Sequence, residues 1–216
     1  MSVGTSVRVR THAKVNLFLS VLGRRSDGYH ELETILHAVD LFDDIEIAVK
    51  PDPGVDVEMI ATDAGVGTLP SARDNLIVKA AETLIGAAGV GNGAHIRVTK
   101  RIPIGAGLGG GSGNAAAALV VLAELWGLGL ERDDLMKHAA TVGSDVSYCL
   151  FGGTALATAR GEVLTPLPQS DPLWFVLAGM NYPLATREVY GALQQTAVDD
   201  QPGSAPMTLA LGAGDV

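Results

Sequence analysis

The stretch from Pro103 through Ile104, Gly105, Ala106, Gly107, Leu108, Gly109, Gly110, Gly111, Ser112 and Gly113 to Asn114 has the composition of an anion cradle. Glycines without a Cβ let consecutive backbone N–H groups turn toward a common centre and approach an anion closely. The run continues directly into Ala115-Ala116-Ala117-Ala118-Leu119, so the loop opens a helix whose positive end adds to the attraction. The expected occupant is a phosphate chain.

Several architectures use such a loop. Gly105, Gly107 and Gly110 satisfy the Gly-x-Gly-x-x-Gly spacing of a dinucleotide site, after a strand-like Ala94–Thr99. That site also needs an acidic residue at the end of a second strand about 20 residues on, and here the distance falls on Glu124, inside the helical pattern Ala115–Trp126. A Walker loop needs a lysine and a hydroxyl residue directly after its glycines, whereas Gly109-Gly110-Gly111-Ser112 brings no lysine. A flexible linker is disfavoured by Pro103 in front and the strong Ala/Leu/Val helix behind.

Other residues carry possible chemistry. Lys14 and Asn16 lie one alternation apart in Ala13-Lys14-Val15-Asn16-Leu17 and so share a face of a strand, where a lysine equally fits a solvent-facing edge charge. Tyr29 and His30 follow the turn Gly23–Gly28 and have the types that stack on and hydrogen-bond a flat heterocycle, although an edge aromatic and a surface histidine also fit. Asp145, among Val142-Gly143-Ser144 and Val146-Ser147-Tyr148, is either a helix cap or a charge with a task. Cys149 reads as buried and without a catalytic role.

The elements that position these residues follow from periodicity. Strands are expected over Val7–Arg10 and Val15–Leu22, with Thr11–Lys14 between or within them, and over Leu32–Leu41, Ala94–Thr99, Thr154–Thr158 and Trp174–Ala178, with a hairpin of Asp44–Lys50 and Val55–Ile60 around Pro51–Gly54. A helix capped by Asp74 or Asn75 runs from Leu76 toward Gly89; others cover Ala115–Trp126, Arg132–Thr141 and Thr186–Gln195, and one starts at Met207 without a closing cap. With 216 residues, 47% apolar, 18% charged and 27 glycines, this is a turn-rich chain able to bury a core. A net charge of −9 with no Lys/Arg cluster argues against nucleic acid as a partner. A single cysteine fits a reducing cytoplasm, and the longest apolar run, Ala115–Ala123, is too short for a bilayer, so a protein without membrane attachment is expected.

The spacing Pro103-x-x-x-Gly107-Leu108-Gly109-x-Gly111-Ser112, followed by Asn114-Ala115-Ala116, resembles the ATP loop of the GHMP small-molecule kinases. Ala13–Leu19, Arg25–His30, Asp74–Ile77 and Gly143–Val146 fall in the order and spacing of the members that act on 4-diphosphocytidyl-2-C-methyl-D-erythritol, in the non-mevalonate route to isoprenoids. The resemblance implies an α+β fold: a GHMP N-terminal domain, ribosomal protein S5 domain 2-like, over 1–165, and only the beginning of the C-terminal α/β sandwich domain over 166–216. It implies ATP with Mg2+, the latter contacted by Ser112, and a loop from Pro103 to Gly113 around the triphosphate with Asn75 and Leu76 at the adenine. Lys14 and Asp145 match the catalytic pair, Asn16 a substrate-side polar residue, Tyr29 and His30 the cytosine pocket, and Tyr190 an aromatic on the cytosine's other side. Another GHMP kinase acting on mevalonate, homoserine or a sugar, or an ATP-binding fragment without catalysis, is the alternative. Gly113 stands where a second serine is usual, which implies a looser phosphate contact, and Ser147 where a proline is common, which implies a less rigid turn.

Overall fold

The computed structural model describes residues 6–62, 67, 71, 75–168, 172–179, 189 and 203–214. Its spine is the strand β2 (His30–Lys50), which pairs antiparallel along one edge with β1 (Ser6–Arg24). Along its other edge β2 pairs antiparallel with β4 (Gly93–Lys100) over one half and β5 (Thr154–Ala159) over the other. The strand β3 (Val55–Ala61) closes one end of this sheet, parallel to β4, and β6 (Val163–Pro166) closes the other, antiparallel to β5.

The paired strands expected before and after residues 11–14 and 42–43 are thus two continuous ones. A bulge between His12 and Ala13 absorbs the break in alternation that reads as an end, and two more, between Asn16 and Phe18 and between Val21 and Gly23, lie further along β1. The hairpin expected around Pro51–Gly54 does not form, because β4 inserts between its two arms. Alternation determines which face a side chain takes but is silent on which strand lies alongside. At the crossover the Ala94 amide donates to the Gly54 carbonyl at 3.0 Å. A Cβ on Gly93 would stand 2.2 Å from that same oxygen, so β4 can begin beneath the turn only with glycine there.

Helices α1 (Leu76–Ala88), α2 (Gly110–Leu125), α3 (Arg132–Val142) and α4 (Ser144–Phe151) cover one face of the sheet. The inward residues Ile45 and Ile47 of β2 and Ala94, Ile96 and Val98 of β4 meet α1 and α2 in the main core. α2 is buried nearly all round, as its Ala/Leu/Val composition predicts. The opposite face carries exposed ion pairs such as Arg8–Glu46 at 3.0 Å and Arg97–Glu58 at 2.9 Å. Segregation of the helices to one face makes this the α+β architecture expected.

Toward the C-terminus the expectations fare unevenly. Residues 172–179 are not a strand, and Trp174 and Val176 are almost wholly exposed; among the described residues no neighbour offers them a ladder. The helix expected over 186–195 lies outside the described residues apart from Val189. The last helix, α5 (Ala205–Ala213), does have a closing cap, Gly214 at φ 71, and docks on β2 through the Ser204 amide, which donates to Glu33 Oε1 at 2.7 Å.

Ala159, at the β5 to β6 turn, has φ 61 and is the only described non-glycine residue with positive φ. A Cβ in that conformation costs about 1–2 kcal/mol, part of which glycine returns through the entropy of its unfolded chain. Ala159→Gly is therefore expected to raise the thermal midpoint by about 1–3 °C. Calorimetry that finds a lower midpoint would remove the strain argument.

Candidate active site

β4 delivers the chain to the glycine loop. Gly105, Gly107 and Gly109 take φ values of 72, 73 and 72, and such left-handed residues alternating with others turn successive amides inward as an anion nest. Gly109 is the N-cap of α2, which begins at Gly110 rather than Ala115. The second half of the loop is therefore the first turn of the helix, where N–H groups have no intrahelical partner. Glycine lowers helix propensity, which hid this turn from the sequence pattern.

A cleft of about 280 Å3 opens at this nest, lined by Pro103 through Ser112 together with Met59, Asn75, Leu76, Ile77, Lys100, Asn114 and Asp145. Asn75 is the N-cap of α1, its side chain accepting from the Ile77 amide at 2.9 Å while its amide nitrogen faces Met59 Sδ at 3.4 Å. Asp74, the alternative cap, lies outside the described residues. Gly113, placed with the loop by sequence, is buried and does not line the cleft. A Cβ there would meet Thr11 Cβ at 3.3 Å and the His12 carbonyl at 3.4 Å, so its hydrogen faces β1 and not a phosphate.

Lys14 and Asp145, remote in sequence, come together with Nζ and Oδ2 3.9 Å apart, and the aspartate lines the cleft. The lysine is buried, its side chain 8% exposed, and the aspartate is half exposed. Lys14 is held from both ends: its amide donates to the Leu108 carbonyl at 2.9 Å, and its ammonium donates to Asn16 Oδ1 at 2.9 Å. Asn16 in turn donates to Thr34 Oγ1 at 2.8 Å, which donates to the Phe18 carbonyl at 2.6 Å. The shared face of Lys14 and Asn16 is thus as the alternation predicts. Asp145 sits in the first turn of α4, where the helix dipole favours a negative charge. Ser147, in the same helix, is buried with an unpartnered hydroxyl among the described residues, and its amide reaches the Gly143 carbonyl at only 3.4 Å.

Two further residues of the site escape the sequence reading, Asp43 and Lys100, both buried beneath the loop together with Asn114 of the glycine stretch. Lys100 donates to Asp43 and, at 3.2 Å, to Asn114 Oδ1. The signal was parity, since Asp43 continues the inward series of Ile45 and Ile47, and Lys100 that of Ala94, Ile96 and Val98. Opposite charges at inward positions of neighbouring strands imply a buried pair.

Tyr29 and His30 are not drawn to this cleft. They lie at the turn end of the β1–β2 ribbon, with Lys14 near its middle; Tyr29 is exposed, and the Arg160 guanidinium lies 5.1 Å from its ring centre. Tyr190 lies outside the described residues. Cys149 faces the Gly109 carbonyl with Sγ 3.9 Å away, and burial, reinforced by Asp145 and partly countered by Lys14, pushes its thiol up to about 12. Among the described residues no three His, Cys, Asp or Glu side chains are placed to hold a metal. Ser112 and Asp145, both lining the cleft, are oxygen donors that fit a magnesium carried on a triphosphate, which needs only one or two protein ligands.

The model of the GHMP kinases N-terminal domain matches residues 75–153, the segment that holds α1, β4, the loop and α4. A 4-diphosphocytidyl-2-C-methyl-D-erythritol kinase of Syntrophomonas wolfei is 41% identical over 98% of this chain and 72% of its own length, and one of Brevibacillus brevis 40% over 97% and 70%. The chain belongs to this kinase family. A relative of the same name from Shouchella clausii is 45% identical, and the match spans 61% of its length. A crystal structure of 4-(cytidine 5'-diphospho)-2C-methyl-D-erythritol kinase superposes with a TM-score of 0.71 at 34% identity, over 97% of this chain and 72% of that one. Homoserine kinase from Cytophaga hutchinsonii shares the fold, with a TM-score of 0.68 at 21% identity over all of this chain and 70% of its own. Among the described residues no helix is long and apolar enough to cross a membrane.

Two consequences of this geometry are measurable. A Cβ at Gly109 would stand 2.9 Å from Lys14 Cγ at an unfavourable φ, whereas one at Gly111 meets nothing within 4 Å. Gly109→Ala should lower stability by more than about 1 kcal/mol, and Gly111→Ala should raise it by up to about 1 kcal/mol through helix propensity; equal midpoints in thermal melts would contradict the packing. With burial pushing its thiol up to about 12, Cys149 should react with a thiol reagent at pH 8 at least about 30-fold more slowly in the native than in the unfolded chain, the scarcer thiolate being partly offset by its greater nucleophilicity. A native rate within tenfold of the unfolded one would contradict that burial.

Proposed function

We propose that this chain carries the nucleotide site and catalytic pair of an enzyme that transfers the γ-phosphoryl group of ATP to the tertiary 2-hydroxyl of 4-diphosphocytidyl-2-C-methyl-D-erythritol, in isoprenoid precursor biosynthesis. The observation that carries the reading is the Lys14–Asp145 pair, 3.9 Å apart, whose aspartate lines the same cleft as the glycine loop. Residues 1–165 form the nucleotide-binding domain in this reading, and residues from 166 begin a second one.

Phosphoryl transfer asks a protein mainly for positioning and charge compensation. The amides of the loop and of the α2 first turn hold the β- and γ-phosphates, with Asn75 and Leu76 beside the base. Ser112 would hold a magnesium ion bound with the nucleotide, which would offset phosphate charge. Asp145, the exposed member of the pair, accepts the proton of the substrate hydroxyl as it attacks. Lys14, held by Asn16, keeps its ammonium against the developing negative charge at the attacking oxygen and the transferred group. Tyr29 and His30 take the cytosine, with the diphosphate bridging from there to the hydroxyl at Asp145. The setting is a compartment without disulfide formation, the cytoplasm.

The test is magnesium-dependent ATP turnover with this substrate, on this chain and on a version extended to its relatives' length. Asp145→Asn and Lys14→Ala are each expected to cut turnover by about 100-fold or more while leaving the ATP dissociation constant within a few fold. Turnover close to wild type in either variant overturns the assignment of the pair.

A further inference from the structure

The loop that lines the cleft spans Pro103 to Ser112, and one carboxylate governs both of its ends. Asp43 is fully buried. Its Oδ1 accepts from the Arg101 amide at 2.7 Å and the Ile102 amide at 2.9 Å, the last two residues before the loop. Its Oδ2 accepts from the Lys100 ammonium, which also donates to Asn114 Oδ1 on the far side of the loop at 3.2 Å. The Asn114 amide nitrogen then donates to Thr11 Oγ1 at 2.9 Å, on the strand that carries Lys14. Entrance and exit also touch directly, since a Cβ on Gly110 would stand 2.8 Å from Ile102 Cγ2 and 3.0 Å from Lys100 Nζ.

The fold does not by itself require ions here. Apolar residues of similar volume in place of a buried pair are often neutral or stabilising, so a charged pair in this position calls for a geometric reason. Lys100 lines the cleft, but two of its ammonium protons are already given to Asp43 and Asn114. What the arrangement does supply is directional: charge-assisted hydrogen bonds that set the spacing between residues 101–102 and residue 114 more narrowly than packing would.

We infer that Asp43 and Lys100 are positioning residues for the nucleotide, holding both ends of the glycine loop at one spacing so that its amides converge on the triphosphate. This rests on the nucleotide reading of the cleft, and the experiment separates the two. Single substitutions strand a buried charge and risk unfolding, so the variants are the neutral pair Asp43→Asn with Lys100→Met, and Asn114→Ala, which cuts the link to the exit but keeps the ion pair. Hydrogen exchange of peptides covering 103–112 is measured well below the melting midpoint, alongside ATP titration by calorimetry. The expected result is a cooperative melt for both variants, exchange across 103–112 faster by about tenfold with α1 and β3 unchanged, and ATP bound about tenfold more weakly. Unaltered exchange at 103–112 in a variant that melts cooperatively overturns the inference, as does unaltered ATP affinity. If the wild-type chain binds no ATP, the nucleotide reading fails and takes the affinity claim with it, while the exchange data still decide whether the pair orders the loop.

Discussion

Asp43 is a carboxylate taken wholly out of water at the point where β2, β4, the glycine loop and α2 meet. Burying an ion costs several kcal/mol, and removing one member of a buried pair about 3–5 kcal/mol, so the arrangement persists only with good geometry and further hydrogen bonds to both charges. Here the two oxygens are occupied by two backbone amides and an ammonium, and the ammonium by a second acceptor. The requirement to satisfy that charge dictates where the loop leaves β4 and where α2 starts. It leaves no room for a side chain at Gly110.

The site above this buried pair has the opposite character. Lys14 is buried and tethered by Asn16 and by the Leu108 carbonyl, while Asp145 is half exposed at the start of a short helix. Such an asymmetry suits a pair in which one member must stay in place and the other must meet a substrate. The link from the Lys14 amide to Leu108 also joins β1 to the loop, so Lys14 and the glycine nest share one rigid frame. Catalysis by positioning depends on such frames, because misplacement of about 1 Å is costly.

Much of the site was legible in linear order. The glycine spacing, the hydroxyl of Ser112, the cap at Asn75 and the parity of Lys14 with Asn16 are local properties, and each is set by residues within one turn or one alternation. The continuous lengths of β1 and β2 were not legible, because a bulge and a strand end interrupt alternation in the same way. The start of α2 was missed because glycine weakens the helical pattern while packing and the loop's ties enforce it. The Pro51–Gly54 turn carries ordinary hairpin chemistry, yet β4 occupies the gap it opens. Gly113 looked like a loop residue, and its surroundings show it to be a contact point between α2 and β1.

The sequence by itself determined that a nest of amides precedes a helix, that the chain alternates strands and helices with inward faces of known composition, and which residue types could serve phosphoryl chemistry. These follow from backbone sterics and from periodicities of two and 3.6 residues, which act over short distances. Only the tertiary structure decided that Asp145 stands opposite Lys14, that Asp43 and Lys100 neutralise each other beneath the loop, and that β4 lies between β2 and β3. Those facts depend on which distant segments become neighbours. That choice is made by burying the most apolar surface while leaving no interior charge unpaired, a condition on the whole chain at once.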